Sequence, residues 1–175
     1  MGIYLNPENV DFQEVLNSKI YVDKSELIQY TNSVLRTTQK YICVSRPRRF
    51  GKSMAANMLT AYYSRGCDSR KLFQGLKIAT HPDFEKHLNQ YNVIHLNMRD
   101  YLTESENMKQ LIQFVEDDLL DELQQEFSDL RMPRRKTLVK VLEQAFAQYK
   151  IPFVFIIDEW DCIFRVHKSD ATSQK

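Results

Sequence analysis

The run Gly51-Lys52-Ser53 is the part of this sequence best suited to chemistry, and an apolar helical pattern follows it. A helix that begins at Gly-Lys-Ser after a strand and a turn presents its first N–H groups to an anion. The lysine adds a compact positive charge, and the hydroxyl reaches a phosphate-bound Mg²⁺. The pattern predicts a nucleotide-phosphate site in which Lys52 is a catalytic and binding residue and Ser53 is a metal ligand. A surface lysine is the plain alternative, but the helix dipole disfavours a cation at that position.

The turn before this run departs from the general pattern G-x-x-x-x-G-K-[ST], because Arg46 stands where the first glycine belongs. Pro47 removes an amide donor and fixes φ, so this loop must turn differently. Arg48 and Arg49 either add positive charge to the site or are simply solvated, and the sequence favours neither interpretation. The residues predicted to bind the nucleotide span the turn and the first helical turn: Pro47, Arg48, Arg49, Phe50, Gly51, Lys52, Ser53 and Met54.

The apolar run 153–157 ends in two carboxylates, Asp158 and Glu159. A buried strand of this kind opens at its C-terminal end into a crevice, which is where ligands bind in parallel sheets. Asp158 is predicted to bind Mg²⁺, and Glu159 is predicted to be the catalytic base that deprotonates the attacking water. Asp161 adds a third carboxylate, which we expect to hold the loop or a basic side chain.

Predicted strands and a helix must position these residues. The sequence predicts a first strand over 40–45, a helix from Lys52 to about Ser64 and a second short strand over 93–98. With the acidic strand 153–157, strands alternate with helices along the chain. This alternation is typical of an α/β fold with a parallel sheet.

Two further helices lie between the second and the acidic strand. Thr103 and Glu106 have the T-x-x-E spacing of a capping box. This spacing predicts that the long helix with apolar residues at every fourth position begins there. Another apolar stripe at helical spacing follows Pro133.

The composition of the chain is that of one ordinary globular domain. Its 175 residues are 43% hydrophobic and 27% charged, and 24 basic residues nearly balance 23 acidic ones, so no global field favours nucleic acid. No apolar stretch approaches the roughly 18–20 residues that a membrane helix needs, and the N-terminus does not look like a signal peptide. The 3 cysteines and 4 histidines show no metal-ligand spacing. We therefore expect a cytoplasmic protein with no membrane partner.

Four segments together resemble the bacterial AAA-ATPase-like family, many of whose members carry a PD-(D/E)xK nuclease-like domain downstream. They are 21–28, 46–53, 72–76 and 157–161, in the family's order. The resemblance implies a P-loop NTPase-type parallel sheet flanked by helices, with ATP and Mg²⁺ as ligands. Arg46 in place of the first glycine agrees with this family, and Trp160 stands where an aromatic residue is typical. The resemblance further implies that segment 21–28 packs near the nucleotide base.

The same resemblance implies a fold that is incomplete at its C-terminal end. In such ATPases another strand, which carries a polar sensor residue, follows the acidic strand in the chain and inserts into the sheet, and no such strand follows Asp161. We expect an N-terminal segment (1–39) that packs on the core, a partial P-loop ATPase core (40–167) and a polar tail (168–175). The chain then looks like the front part of a longer protein. Its unpaired sheet edges invite self-association, and DNA contact is expected through a downstream domain.

The sequence therefore predicts an ATP-binding module of an AAA-like P-loop ATPase, with Mg²⁺-dependent binding and with hydrolysis by the isolated chain left open. ATP is preferred to GTP on the resemblance alone, since no guanine-reading N-K-x-D motif occurs. The alternatives are a non-catalytic protein- or DNA-interaction module and a truncated remnant of a longer ATPase-nuclease protein. For DNA, the basic run 131–136 is a candidate phosphodiester contact, although a charged link between two helices is the more common origin of such a run.

Overall fold

A computed structural model describes residues 2–45 and 50–166, apart from the side chains of Arg165 and Val166. Within these residues two parallel strands form the sheet: β1 (Asn92–Asn97) and β2 (Phe153–Asp158). The helices around it are α1 (Val10–Leu16), α2 (Glu26–Val34), α3 (Lys52–Tyr63), α4 (Arg70–Phe73), α5 (Phe84–His87), α6 (Met98–Glu104), α7 (Met108–Glu126), α8 (Leu138–Tyr149) and α9 (Cys162–Val166). A 3₁₀ turn (Lys77–Thr80) lies between α4 and α5. The predicted α/β class is confirmed, whereas the larger P-loop-type sheet is not seen in this part of the chain.

The sheet separates two hydrophobic cores. Side chains alternate between the faces of a strand, so Val93 and Val154 pack in one core while Ile94 and Phe153 pack in the other. The first core contains α3 and many aromatic rings, and the second contains α7 and α8. Helices therefore cover both faces of the sheet at β1, whereas Phe155 and Ile157 of β2 stay half exposed.

The helix and strand predictions around the candidate site are close to the structure. The helix predicted from Lys52 begins there and ends at Tyr63. Both apolar strands form, and they pair in parallel with Ile94 opposite Phe155. The stripe on α7 is buried at Leu111, Leu119 and Leu123, which confirms its predicted apolar face.

The strand predicted over 40–45 is wrong. These residues have no regular secondary structure, and Tyr41 and Val44 are 85% and 44% exposed. A strand needs a neighbour to exchange main-chain hydrogen bonds, and no described residue pairs with this segment. Ile42 and Val44 instead line a cavity together with β2.

The capping box predicted at Thr103 is also wrong. Thr103 lies inside α6, where its hydroxyl donates to the carbonyl oxygen of Asp100 at 2.6 Å. The long helix α7 begins later, because Asn107 caps it by accepting a hydrogen bond from the N–H of Gln110 at 3.0 Å. Asparagine is among the strongest N-cap residues, so α7 begins after Asn107 and not at the predicted cap Thr103. No helix in the described part of the chain has both the length and the apolarity to cross a membrane.

Candidate functional site

The N-terminus of α3 lies at the predicted phosphate site. Gly51 caps the helix with φ of 76°, in the left-handed region where a side chain would be strained. Lys52 is the first helical residue, and no side chain caps this end of the helix. The first turn of an α-helix leaves its N–H groups without partners inside the helix. This end of α3 can therefore donate hydrogen bonds to an anion.

The carboxyl end of β2 forms a tight turn. The Asp158 carboxylate accepts a hydrogen bond from the N–H of Glu159 at 2.9 Å, and the N–H of Cys162 donates to the Glu159 carbonyl at 2.9 Å. Glu159 has φ of 52°, a left-handed conformation that costs a non-glycine residue on the order of 1 kcal/mol. Strained residues of this kind cluster at functional sites. The turn ends the strand and starts α9 at Cys162.

One cavity of about 560 Å³ is lined by Lys52, Asp158 and Glu159 together. Small side chains of α3, the edge of β2, parts of α2 and residues from 40–44 complete its lining. The structure therefore brings the predicted cation and both predicted carboxylates to the same cavity. Most of its lining is apolar, and its carboxylates belong to the end of β2 and the turn that follows.

The remaining predicted site residues differ in where they lie. Ser53 follows Lys52 in the first turn of α3, but it is exposed and does not line this cavity. Phe50 and Met54 are 58% and 39% exposed and line a separate recess. Asp161 lies in the turn and reaches the cavity beside the two carboxylates. Arg46, Pro47, Arg48 and Arg49 lie outside the described residues.

The separate recess has a volume of about 330 Å³ and is mostly apolar. The N-terminal segment contributes Ile20, Tyr21 and Val22, and α3 contributes Met54 and Met58. Burial, with help from the Asp23 carboxylate, raises the pKa of Tyr21 to about 12, so its phenol stays neutral. The segment that the resemblance places near the base therefore borders the start of α3, in a mostly apolar recess.

His95 is a residue of this region that the sequence reasoning missed. Its Nδ1 lies 3.1 Å from the hydroxyl of Thr60 on α3. Burial lowers the pKa of His95, and the nearby carboxylates of Asp158 and Asp11 oppose this only in part. The strand alternation carried the signal, since it puts His95 on the same face of β1 as Val93, towards α3.

The described residues do not make a metal site by themselves. No group of three or more histidine, cysteine, aspartate or glutamate side chains comes together among them in a way that could hold a metal ion. Mg²⁺ in nucleotide sites takes few protein ligands and relies on phosphate oxygens and water. The donors present at the cavity, with an Asp158 oxygen among them, fit that mode.

Comparison with known protein families finds a match for this chain. A family model described as predicted AAA-ATPase matches residues 10–174. No curated protein and no solved structure matches the chain. The match spans α1, the start of α3 and the end of β2, and therefore every element of the site described above.

Proposed function

Because the chain belongs to the AAA-ATPase-like family, we propose that it binds ATP with Mg²⁺ in the cavity between α3 and β2. The observation that carries the proposal is that Lys52, Asp158 and Glu159 line one cavity, at a helix N-terminus and a strand C-terminus. A cation and free N–H groups on one side bind phosphate oxygens. Carboxylates on the other side can hold a metal ion and orient water.

Each group has a definite role in this proposal. Lys52 and the N–H groups of the first turn of α3 bind the β- and γ-phosphates, and Ser53 and Asp158 hold the metal ion. When bound, Mg²⁺ would neutralise phosphate charge. Glu159 accepts the proton of the attacking water, and its position directly after Asp158 places it at the same cavity. Ser53 does not line the cavity, but it directly follows Lys52 in the first turn of α3, and this position supports its proposed role.

The apolar recess is proposed to hold the base. Ile20 and Val22 are 84% and 64% exposed although both are large and apolar. They stand beside Met54 at the mouth of the recess. A purine packed there would remove these side chains from water, which is favourable at roughly 25 cal/mol per Å² of apolar surface buried.

Binding is tested by thermal unfolding with and without Mg-ATP. At a nucleotide concentration about a hundredfold above Kd, the native state gains about 2.7 kcal/mol, and the melting temperature rises. Lys52→Ala is expected to abolish that rise. Lys109→Ala is the matched control, because Lys109 is exposed and also lies in the first turn of a long helix, α7. No rise for the native chain, or an equal rise for both variants, would contradict the proposal.

A second candidate function is nucleotide binding without turnover. It is favoured by the open side of the cavity, where Phe155 and Ile157 on β2 are 52% and 48% exposed. A closed active site excludes bulk water from the reacting phosphate. The exposed side of this cavity leaves it open to solvent. Phosphate release by the native chain but not by Glu159→Gln, with nucleotide binding retained in both, would support hydrolysis. Binding without release would support the second candidate.

Three further expectations from the sequence stay predictions. These are the division of the chain at residues 39 and 167, the cytoplasmic location, and DNA contact through a downstream domain. None of them is needed for the nucleotide proposal. Each could be wrong while the cavity still binds ATP.

A further inference from the structure

Lys24 joins the N-terminal segment to the start of α3. Its Nζ donates a hydrogen bond to the main-chain carbonyl of Phe50 at 2.9 Å. The same Nζ lies 3.1 Å from the position that a Cβ on Gly51 would occupy. A lysine 26 residues away in sequence therefore touches the two residues directly before Lys52.

The backbone that carries Lys24 is fixed on both sides. The Asp23 carboxylate accepts hydrogen bonds from the N–H groups of Ser25 and Lys77, both at 2.8 Å. The buried Ser25 hydroxyl accepts one from the N–H of Ile78 at 3.2 Å. Burial opposes ionisation of Asp23, but these hydrogen bonds outweigh it and lower the pKa of the carboxyl group. Lys24 thus extends from a segment anchored to the 3₁₀ turn.

The contact with Phe50 has a geometric consequence for Gly51. In a trans peptide the C=O and the following N–H point in opposite directions, and the described residues contain no cis peptide. Holding the Phe50 carbonyl towards Lys24 therefore turns the Gly51 N–H away from Lys24. Gly51 is the N-cap of α3 at φ of 76°, so this peptide would otherwise have the rotational freedom of a glycine.

We propose that Lys24 is a positioning residue of the nucleotide site, which fixes the Phe50–Gly51 peptide so that the Gly51 N–H can donate to phosphate. The inference rests on the proposed function and deepens it. It gives the N-terminal segment a part in phosphate binding, in addition to lining the apolar recess. Lys24 also lines the apolar recess, but its ammonium group is held by the Phe50 carbonyl, so it acts on phosphate binding through the main chain.

The test compares the Mg-ATP affinity of three variants with that of the native chain. Lys24→Met removes the donor that fixes the peptide and should weaken binding about tenfold, the effect of losing the hydrogen bond from the Gly51 N–H to a charged phosphate. Lys24→Arg keeps a donor and should stay within about threefold. Lys19→Met, an exposed lysine on the same segment, should bind like the native chain. The melting temperatures of all ligand-free variants should agree, because Lys24 is an exposed side chain.

Salt dependence separates positioning from direct phosphate contact. If Lys24 acts through the main chain, log Kd for Lys24→Met and for Lys19→Met should rise in parallel with log salt. A shallower slope for Lys24→Met would show that the lysine contacts phosphate itself, and would overturn the positioning role. The positioning role would also be overturned if Lys24→Met and the native chain bound Mg-ATP with equal affinity. The same holds if Lys24→Met and Lys24→Arg lowered the affinity equally. Failure of the native chain to bind Mg-ATP is a different result, which refutes the proposed function and this inference with it.

Discussion

The two outer edges of the sheet differ sharply. The outer edge of β1 is covered by the N-terminal segment: the N–H of Asn6 donates to the Val93 carbonyl at 2.7 Å, and the N–H of His95 donates to the Tyr4 carbonyl at 2.9 Å. The outer edge of β2 has no strand beside it among the described residues. The candidate cavity opens along this second edge.

The hydrogen-bond pattern shows which groups of β2 the open edge presents. The N–H of Asn92 donates to the Pro152 carbonyl at 3.0 Å, so alternate residues from Pro152 onward point their main-chain groups to β1. Phe155 and Ile157 therefore point theirs to the open side. The candidate site therefore lies along the edge of β2 that no described strand covers.

A single carboxylate secures the covered edge. Glu122 of α7 accepts hydrogen bonds from three consecutive N–H groups, those of Ile3 at 2.6 Å, Tyr4 at 3.0 Å and Leu5 at 2.6 Å. Leu5 is fully buried and forms an antiparallel bridge with Ile94. The N-terminal segment is thus held by the sheet on one side and by a helix on the other.

The largest expected difference is between register partners on the two strands. Ile94 is 0% exposed and Phe155 opposite it is 52% exposed. Ile94→Ala should lower the free energy of unfolding by about 2–5 kcal/mol, because it leaves a cavity in the core. Phe155→Ala should lower it by less than about 1 kcal/mol, as for other exposed positions. Urea unfolding of both variants measures this, and equal losses would show that the open edge is as well packed as the covered one.

Glu122→Gln is the next largest expected effect. The amide keeps one acceptor oxygen but loses the charge and the second oxygen, so partly buried N–H groups of the N-terminal segment lose a partner. We expect a loss of about 1–3 kcal/mol in the free energy of unfolding. Asp121→Asn, an exposed position one residue earlier on α7, is the matched control and should change little. If the two variants were equally stable, the carboxylate would not secure this edge.

Sequence patterns predicted the parts of this comparison that depend on local periodicity. The apolar stripe of α7, the start of α3 at Lys52 and the acidic end of β2 are all visible from spacing alone. The resemblance that placed the chain in its family depended on the same local motifs. These features have signals that lie within a single helix or strand, so residue spacing alone reveals them.

Features that depend on distant partners could not be predicted in this way. The segment 40–45 has a strand-like sequence, but no described strand pairs with it. The roles of Glu122 and Lys24 depend on main-chain groups more than twenty residues away, and no spacing rule indicates them. For His95, strand alternation already indicated the face of β1, but its partner Thr60 lies 35 residues away and could not be read from the sequence.

The pH dependence of the free energy of unfolding should show how His95 of β1 affects stability. Above its ordinary pKa of 6.5 the imidazole is neutral in both the folded and the unfolded chain. Because burial lowers the pKa of His95 in the folded state, the unfolded chain takes up the proton first as the pH falls below 6.5. The free energy of unfolding should therefore decrease from about pH 6.5 downward. His95→Gln should make this decrease smaller, and an unchanged profile would show that His95 is not buried as described.

The smallest effect on folding, and the most specific to the open edge, is expected from Ile157→Lys. An exposed edge strand with apolar side chains promotes association between copies, and lysine at an edge opposes it. We expect the native chain to sediment as a concentration-dependent mixture and Ile157→Lys to shift it towards monomer. The free energy of unfolding should change by less than about 1 kcal/mol.

Phe146→Lys provides the control for this substitution. Phe146 and Ile157 are both 48% exposed, but Phe146 lies on α8, where the helix itself satisfies the main-chain groups. If association depends on the open strand edge, Phe146→Lys should leave the sedimentation profile nearly unchanged. If both lysines abolish association equally, exposed apolar area and not the free edge of β2 drives it. The two edges of the sheet would then differ in packing but not in their tendency to recruit another chain.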